Sequence, residues 1–369
     1  MLDCSCRGDA ATSFDLSPLW KAPVSRPVLS FRRLRIFRLP LIATTRNGVS
    51  ISDLRGACRA SIDALPPGTV DFGRPATLRA LSSVDDESGG RFLAQIQLLV
   101  TASVGAFRSR IESPDDPLEL VDMPRFAVGE LGVRGLSIPA SMLTGLDGTA
   151  LERIRDEADR ARCPTLLLFE EEGFDLGTTD AATRAAAVDR IGRLARAASM
   201  LGCANLGIAC TGADEEVRFD LAAVALREVM QKIDRHDVNL LLGNHPGLTE
   251  DPDRLTELIK KVGGFRIGSL PDFRTAHDSG DFAGNLRRLA PYAGTIMATV
   301  GASARGRKPA SAAKDKTPFD VVEGLRSVLA VGYQHAISLD HAGGKHAAAA
   351  IIAARELLEE GLESHAEGE

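Results

Sequence analysis

Aromatic residues are scarce in this chain of 369 residues: Phe, Tyr and Trp together make up 5%, with a single Trp. Nucleic-acid bases and polysaccharides are commonly bound by stacking on aromatic rings, so this scarcity argues against either partner. Strong charge imbalance is also lacking, since the net charge is -6. We therefore expect no nucleic-acid partner and no attraction to an acidic membrane surface.

Long apolar runs are missing as well, and no segment is long enough to cross a bilayer. The basic stretch from Phe31 to Arg38 is faintly similar to a twin-arginine export signal, but Pro40 interrupts the apolar region that should follow it. The six cysteines form no closely spaced framework, and we expect Cys163, Cys203 and Cys210 to be small buried hydrophobic residues. These features predict a cytoplasmic protein in a reducing compartment.

Sustained periodicity is lacking before residue 93. We expect residues 1–92 to form an irregular N-terminal extension, either partly disordered or packed on the rest of the protein as a lid. Residues 93–369 differ, because short apolar runs alternate there with amphipathic helical segments. We interpret residues 93–369 as one domain.

Eight predicted strands alternate with helices in this domain, which is the pattern of a (β/α)8 TIM barrel in the α/β class. The predicted strands are Leu98 to Phe107, Gly135 to Ile138, Thr165 to Phe169, Ala204 to Cys210, Val238 to Leu242, Phe265 to Leu270, Thr295 to Val300 and Ala336 to Leu339. The alternative is an open doubly wound sheet, but no glycine-rich nucleotide-binding motif follows the first strand. Two details stay open: Leu118 to Val121 also fits a strand, and the fourth helix should bury Val224, Val229 and Ile233.

Polar residues follow several of the predicted strands, at the end of the barrel where functional sites are built. They are Glu170, Glu171 and Glu172 after the third strand, Asn244 and His245 after the fifth, Asp272 and His277 after the sixth, and Asp340 and His341 after the eighth. Two histidines with two carboxylates can hold a divalent metal ion. For any single His, however, a hydrogen-bonded loop position is the more common role.

The loop after the seventh strand is long and basic. Residues 301–318 include Arg305, and Lys345 follows two glycines before the eighth helix. Phosphate often binds near these two loops in TIM barrels. The segment predicts binding of a phosphorylated sugar, while a solvated charged loop is the plain alternative.

Three sequence blocks carry a resemblance to a known family. They are V-N-L-L-L-G-N-H-P-G-L from Val238 to Leu248, I-G-S-L-P-D-F from Ile267 to Phe273, and Gly332-Tyr333 followed by A-I-S-L-D-H. In this order the blocks resemble the xylose-isomerase-like TIM barrels, which include sugar phosphate isomerases and epimerases. The resemblance covers roughly residues 95 to 345.

The resemblance implies a divalent metal held by Glu, Asp, His and Glu after strands five to eight, with the two Glu residues moving a proton. In this chain the first Glu position is Gly243, and Asp272 matches the Asp. No His, Asp or Glu lies in residues 295–303, and Asp340 stands in place of the last Glu. The resemblance therefore implies a divergent metal site with one Mn²⁺, Co²⁺, Mg²⁺ or Zn²⁺ ion, or none.

Together these observations predict a sugar or sugar-phosphate isomerase or epimerase. The predicted catalytic residues are Glu170, His245 and Asp340; the predicted substrate-binding residues are Asn244, His277, Arg305 and Lys345; and the predicted metal ligands are Asp272, His245, Asp340 and His341. A carboxylate of the run Glu170 to Glu172 acting without metal is the alternative base, and a solvated rim is the plain interpretation of that run. The resemblance also leaves room for a non-catalytic sugar-binding barrel, or for a subunit that assembles with itself or with an active relative. An endonuclease-like enzyme is the weakest alternative, since its metal sites need more His and Glu residues.

Overall fold

The computed structural model describes residues 98–113, 118–301 and 317–368. The expected N-terminal extension, residues 1–92, lies outside the described residues. So does the basic loop that holds Arg305.

Eight parallel strands form one sheet in the described part of the chain. They are β1 (Leu99–Ser103), β2 (Leu136–Pro139), β3 (Thr165–Phe169), β4 (Asn205–Ala209), β5 (Asn239–Gly243), β6 (Ile267–Leu270), β7 (Thr295–Val300) and β8 (Ala336–His341). Their order in the sheet is β6-β5-β4-β3-β2-β1-β8-β7. Because β1 pairs with both β2 and β8, consecutive strands are neighbours all the way round. This order confirms the predicted TIM barrel and excludes the doubly wound sheet.

The seam of the barrel lies between β6 and β7, which are joined by isolated bridges rather than by a continuous ladder. The Met297 N–H donates to the Pro271 carbonyl at 2.8 Å. Beyond it, the Thr299 N–H donates to Oδ1 of Asp272 at 2.9 Å. A side chain therefore takes over from the backbone at the carboxyl end of this seam.

Helices connect the strands and cover the sheet. Their bounds are α1 (Arg108–Ile111), α2 (Met123–Phe126), α3 (Gly148–Ala161), α4 (Ala181–Met200), α5 (Glu216–Ile233), α6 (Pro252–Val262), α7 (Phe273–Asp278), α8 (Phe282–Leu289), α9 (Val321–Leu329) and α10 (Ala347–Gly368). Side chains of Asp147, Asp180, Asp251 and Asp320 accept backbone N–H groups at the starts of α3, α4, α6 and α9. Such N-caps stabilise the first turn of a helix. The segment that also fitted a strand is a 3₁₀ turn at Leu120–Asp122.

The interior of the barrel has a polar side and an apolar side. The Ser137 hydroxyl of β2 and the Ser338 hydroxyl of β8 lie 2.6 Å apart and are buried. Since β1 separates these two strands in the sheet, their hydrogen bond crosses the interior. The opposite side holds an apolar cluster, separate from the main core, formed by Leu167, Phe169, Leu241, Leu270 and Met297. The barrel is thus a filled core and not a pore.

Buried cysteines belong to this packing. Cys163, Cys203 and Cys210 are buried free thiols, as expected from their positions beside strands. Burial raises the pKa of Cys203 and of Cys210 to about 12. These thiols behave as small hydrophobic groups. No helix in the described ranges is long and apolar enough to span a membrane.

The buried face of α5 differs in one position from the expected stripe. Val229 and Ile233 are fully buried as predicted, but Val224 is 58% exposed. The buried row instead continues through Leu226 and Ala222, which share a face with Val229 at helical spacing. Val224 lies five residues before Val229 and so points away from the sheet.

This difference makes a matched test of the core. Leu226→Ala should lower the free energy of unfolding by about 2–5 kcal/mol, because it leaves a cavity under α5. Val224→Ala on the same helix should change it by about 0.5 kcal/mol or less. Urea unfolding followed by circular dichroism measures both, and equal losses for the two variants would contradict the assigned helix face.

Candidate functional site

A cavity of about 370 Å³ opens at the carboxyl ends of β3 to β7. Its apolar floor includes Phe169, Leu270 and Met297 from the interior cluster. Its polar lining consists of Glu170, Glu171, Asn244, His245, Asp272, Arg274, Thr275, Asp278 and Thr299. Four of the residues predicted from the sequence, Glu170, Asn244, His245 and Asp272, therefore meet in one cavity.

Glu170 follows β3 and is held by several donors. Its side chain is 3% exposed and forms an ion pair with Arg190 of α4, whose Nε donates at 3.0 Å. The backbone N–H groups of Glu171 and Glu172 donate to its other carboxylate oxygen at 3.1 and 3.4 Å. This arrangement fixes the loop after β3, because a buried charge is stable only when it is paired.

Glu171 is tied to the opposite wall of the barrel mouth. The Arg108 guanidinium of α1 donates to Glu171 Oε2 at 2.8 Å, and the Ser141 hydroxyl contacts the same oxygen. The ion pair is partly exposed at the rim. It links the loops after β1, β2 and β3.

His245 lies above the end of β5, at Gly243. A Cβ atom placed on Gly243 would lie 3.2 Å from Cδ2 and 3.8 Å from Nε2 of the His245 ring. The imidazole therefore occupies the space into which a longer side chain at Gly243 would extend. A titratable ring at the end of β5 thus replaces, in position, the carboxylate that the sequence lacks there.

Asn244 shapes the loop that carries this histidine. Its side-chain N–H groups donate to the carbonyls of Thr249 and Glu250, both at 2.7 Å. The Thr249 hydroxyl donates in turn to the Gly243 carbonyl at 3.1 Å. These bonds close a tight turn after β5 and hold His245 at the cavity.

Asp272 links the two sides of the barrel seam. Besides accepting the Thr299 N–H, its carboxylate caps α7 by accepting the Thr275 N–H at 3.3 Å. Its oxygens therefore serve a helix start and a strand end, while the residue lines the cavity.

Arg274 is a cavity residue that sequence reasoning missed. It is 8% exposed, and one guanidinium nitrogen donates to the Gly301 carbonyl at the end of β7. The guanidinium also lies 5.6 Å from the centre of the Phe319 ring. The only sequence signal was its place two residues after Asp272, and burial of an arginine is not readable from that.

The remaining predicted residues lie apart from this cavity. His277 packs in an aromatic cluster with Phe282 and Phe319, at ring distances of 6.3 and 5.9 Å. Asp340 and His341 belong to β8 itself rather than to the following loop, and both are buried. The His341 ring accepts the Gly343 N–H at 3.0 Å, Lys345 is exposed, and Arg305 lies outside the described residues.

A sequence profile now places this geometry in a family. The profile of the xylose isomerase-like TIM barrel matches residues 127–360, which is more than half of the chain. The chain belongs to this family. The resemblance found in the three sequence blocks is thereby confirmed.

Solved structures with the same fold include members named for sugar chemistry. L-ribulose 3-epimerase superposes with a TM-score of 0.59 at 14% identity, covering 72% of this chain and 95% of that one. A D-tagatose 3-epimerase-like protein has a TM-score of 0.57 at 17% identity, covering 73% and 99%. The IOLI protein, solved with a zinc atom, has a TM-score of 0.55 at 11% identity, covering 72% and 97%. A search of curated protein sequences finds no match.

The donor set in this chain does not fit the family's metal site. Gly243 offers no ligand, and the Asp272 oxygens accept the Thr299 and Thr275 N–H groups. Asp340 and His341 are not part of the cavity lining. Among the described residues, no three His, Cys, Asp or Glu side chains come together as a metal-binding group.

The contacts of Glu170 predict that it stabilises the barrel rim. Glu170→Ala should lower the free energy of unfolding by about 1–3 kcal/mol, because Arg190 and two backbone N–H groups lose their partner. Glu172→Ala, an exposed change on the same loop, should have an effect of about 0.5 kcal/mol or less. Thermal and urea unfolding of the two variants provide the comparison. Equal stability of Glu170→Ala and the parent protein would show that the ion pair contributes nothing.

Proposed function

We propose that this chain is a sugar isomerase or epimerase that moves a proton at a carbon next to a carbonyl, with His245 as the base. The observation that carries the proposal is the His245 ring over Gly243, at the mouth of a cavity at the carboxyl ends of β3 to β7. TIM-barrel enzymes place their chemistry at this end of the strands. Membership of the xylose isomerase-like family and the epimerase names of similar structures support the same class.

The proposed step uses the side chains of this chain alone. An imidazole nitrogen of His245 takes the proton from the carbon beside the carbonyl, and the electron pair forms the double bond of an enediol. Return of that proton to the neighbouring carbon gives the isomer. Histidine suits this work because its ordinary pKa lies near neutral pH.

The cavity suits a small, partly apolar substrate. Phe169, Leu270 and Met297 would contact the carbon skeleton, while Thr275 and Thr299 offer hydroxyl groups to a polyol. Asp272 shapes the wall between these two threonines through its bonds to both of their backbone N–H groups. Glu170 and Asp340, predicted as catalytic from the sequence, enter this proposal as buried groups that support the rim and the barrel interior.

Hydrogen exchange at carbon tests the proposal. A panel of sugars that includes L-ribulose, D-tagatose and their phosphates is incubated with the protein in D₂O, and loss of C–H signals is followed by NMR. His245→Gln should lower the exchange rate by about 100-fold or more, because it removes the base. His335→Gln changes an exposed histidine beside Tyr333, before β8, and should leave the rate unchanged.

Two results would contradict the assignment. Full exchange by folded His245→Gln would show that another group is the base. Absence of exchange with every sugar that binds would favour the second candidate function, a sugar-binding barrel or a subunit beside an active relative. The observation that favours this second candidate is the incomplete metal-ligand set among the described residues.

A further inference from the structure

We infer that Arg274 binds an anionic group of the ligand, a carboxylate or a phosphate, inside the cavity. The inference deepens the proposed function, on which it rests for the identity of the cavity, by naming the substrate class. It starts from the Arg274 guanidinium, which is buried and lines the cavity without a carboxylate partner in the described part of the chain.

Buried guanidinium groups are normally paired, because transfer of a charge from water into a protein interior is unfavourable. Arg274 has one hydrogen bond, to the neutral carbonyl of Gly301, and one ring contact, to Phe319. Its Nε is buried and has no hydrogen-bond partner. A donor and a positive charge are thus both left unmatched at the same side chain.

The acidic residues of the cavity do not supply the missing charge. Glu170 is paired with Arg190, and Glu171 is paired with Arg108. Asp272 accepts the N–H groups of Thr275 and Thr299. Arg274 is the one Lys or Arg among the described residues that line the cavity.

The form of the side chain indicates which ligands fit. A guanidinium presents N–H donors in a plane, which matches the oxygens of a carboxylate or a phosphate. A neutral sugar hydroxyl would satisfy one donor but would leave the charge unbalanced. The structure therefore favours a sugar acid or a sugar phosphate over a neutral sugar.

The test compares three ligands that share one carbon skeleton and differ at the last carbon: D-glucose, D-glucuronate and D-glucose 6-phosphate. Binding to the full chain is measured by isothermal titration calorimetry at constant ionic strength. At least one of the two anions should bind about 10- to 100-fold more tightly than D-glucose, as expected for hydrogen bonds to a charged group. The stronger of the two identifies the source of the negative charge. Equal binding of all three ligands would overturn the inference.

The variants assign the effect to Arg274. Arg274→Gln should abolish the preference for the anion and leave D-glucose binding within about twofold, since only the charged contact is lost. Arg193→Gln removes an exposed arginine from α4, outside the cavity, and should keep the preference. Retention of the preference in folded Arg274→Gln would overturn the inference.

If Arg274→Gln does not fold, Arg274→Lys decides the question. Lysine keeps the charge but lacks the planar pair of donors, so anion affinity should fall while D-glucose binding stays the same. Unchanged anion affinity in Arg274→Lys would contradict the role of the guanidinium. Failure of the hydrogen-exchange assay together with Arg274-dependent anion binding would remove the proposed reaction and keep this inference. Exchange without any anion preference would do the opposite.

Discussion

The Asp272 carboxylate holds together the part of the barrel on which the candidate site depends. The β6–β7 seam has isolated bridges where the other strand pairs have ladders, and Asp272 spans it by accepting the N–H of Thr299. The same carboxylate caps α7, the short helix that carries Arg274. One side chain therefore sets the end of β7, the start of α7 and one wall of the cavity.

Much of the fold was predictable because each element repeats one local pattern. The limits of β3 and β7 match the apolar runs of the sequence to the residue. β8 was predicted too short, since Asp340 and His341 interrupt the apolar pattern although both are buried at its end. Val224 was misplaced because an apolar residue on a helix reveals its face only through the spacing of its neighbours.

The site was less predictable, since it depends on which loop residues meet. Sequence position brought Glu170, His245 and Asp272 to one end of the barrel, and the structure places them in one cavity. The aromatic packing of His277 and the burial of Arg274 depend on tertiary contacts with Phe319, far along the chain. Such contacts leave no trace in the spacing of residues, so a rule about strand ends finds the region but not each role.

The central claim is that the cavity beside His245 is the ligand site of this family member. The most direct measurement is NMR of the protein with ¹⁵N-labelled histidine, with each ring assigned by single substitution. Addition of L-ribulose or D-glucuronate should shift the ring signals of His245 and leave those of His335, before β8, unchanged. Binding that moves other histidines and leaves His245 unmoved would contradict the claim.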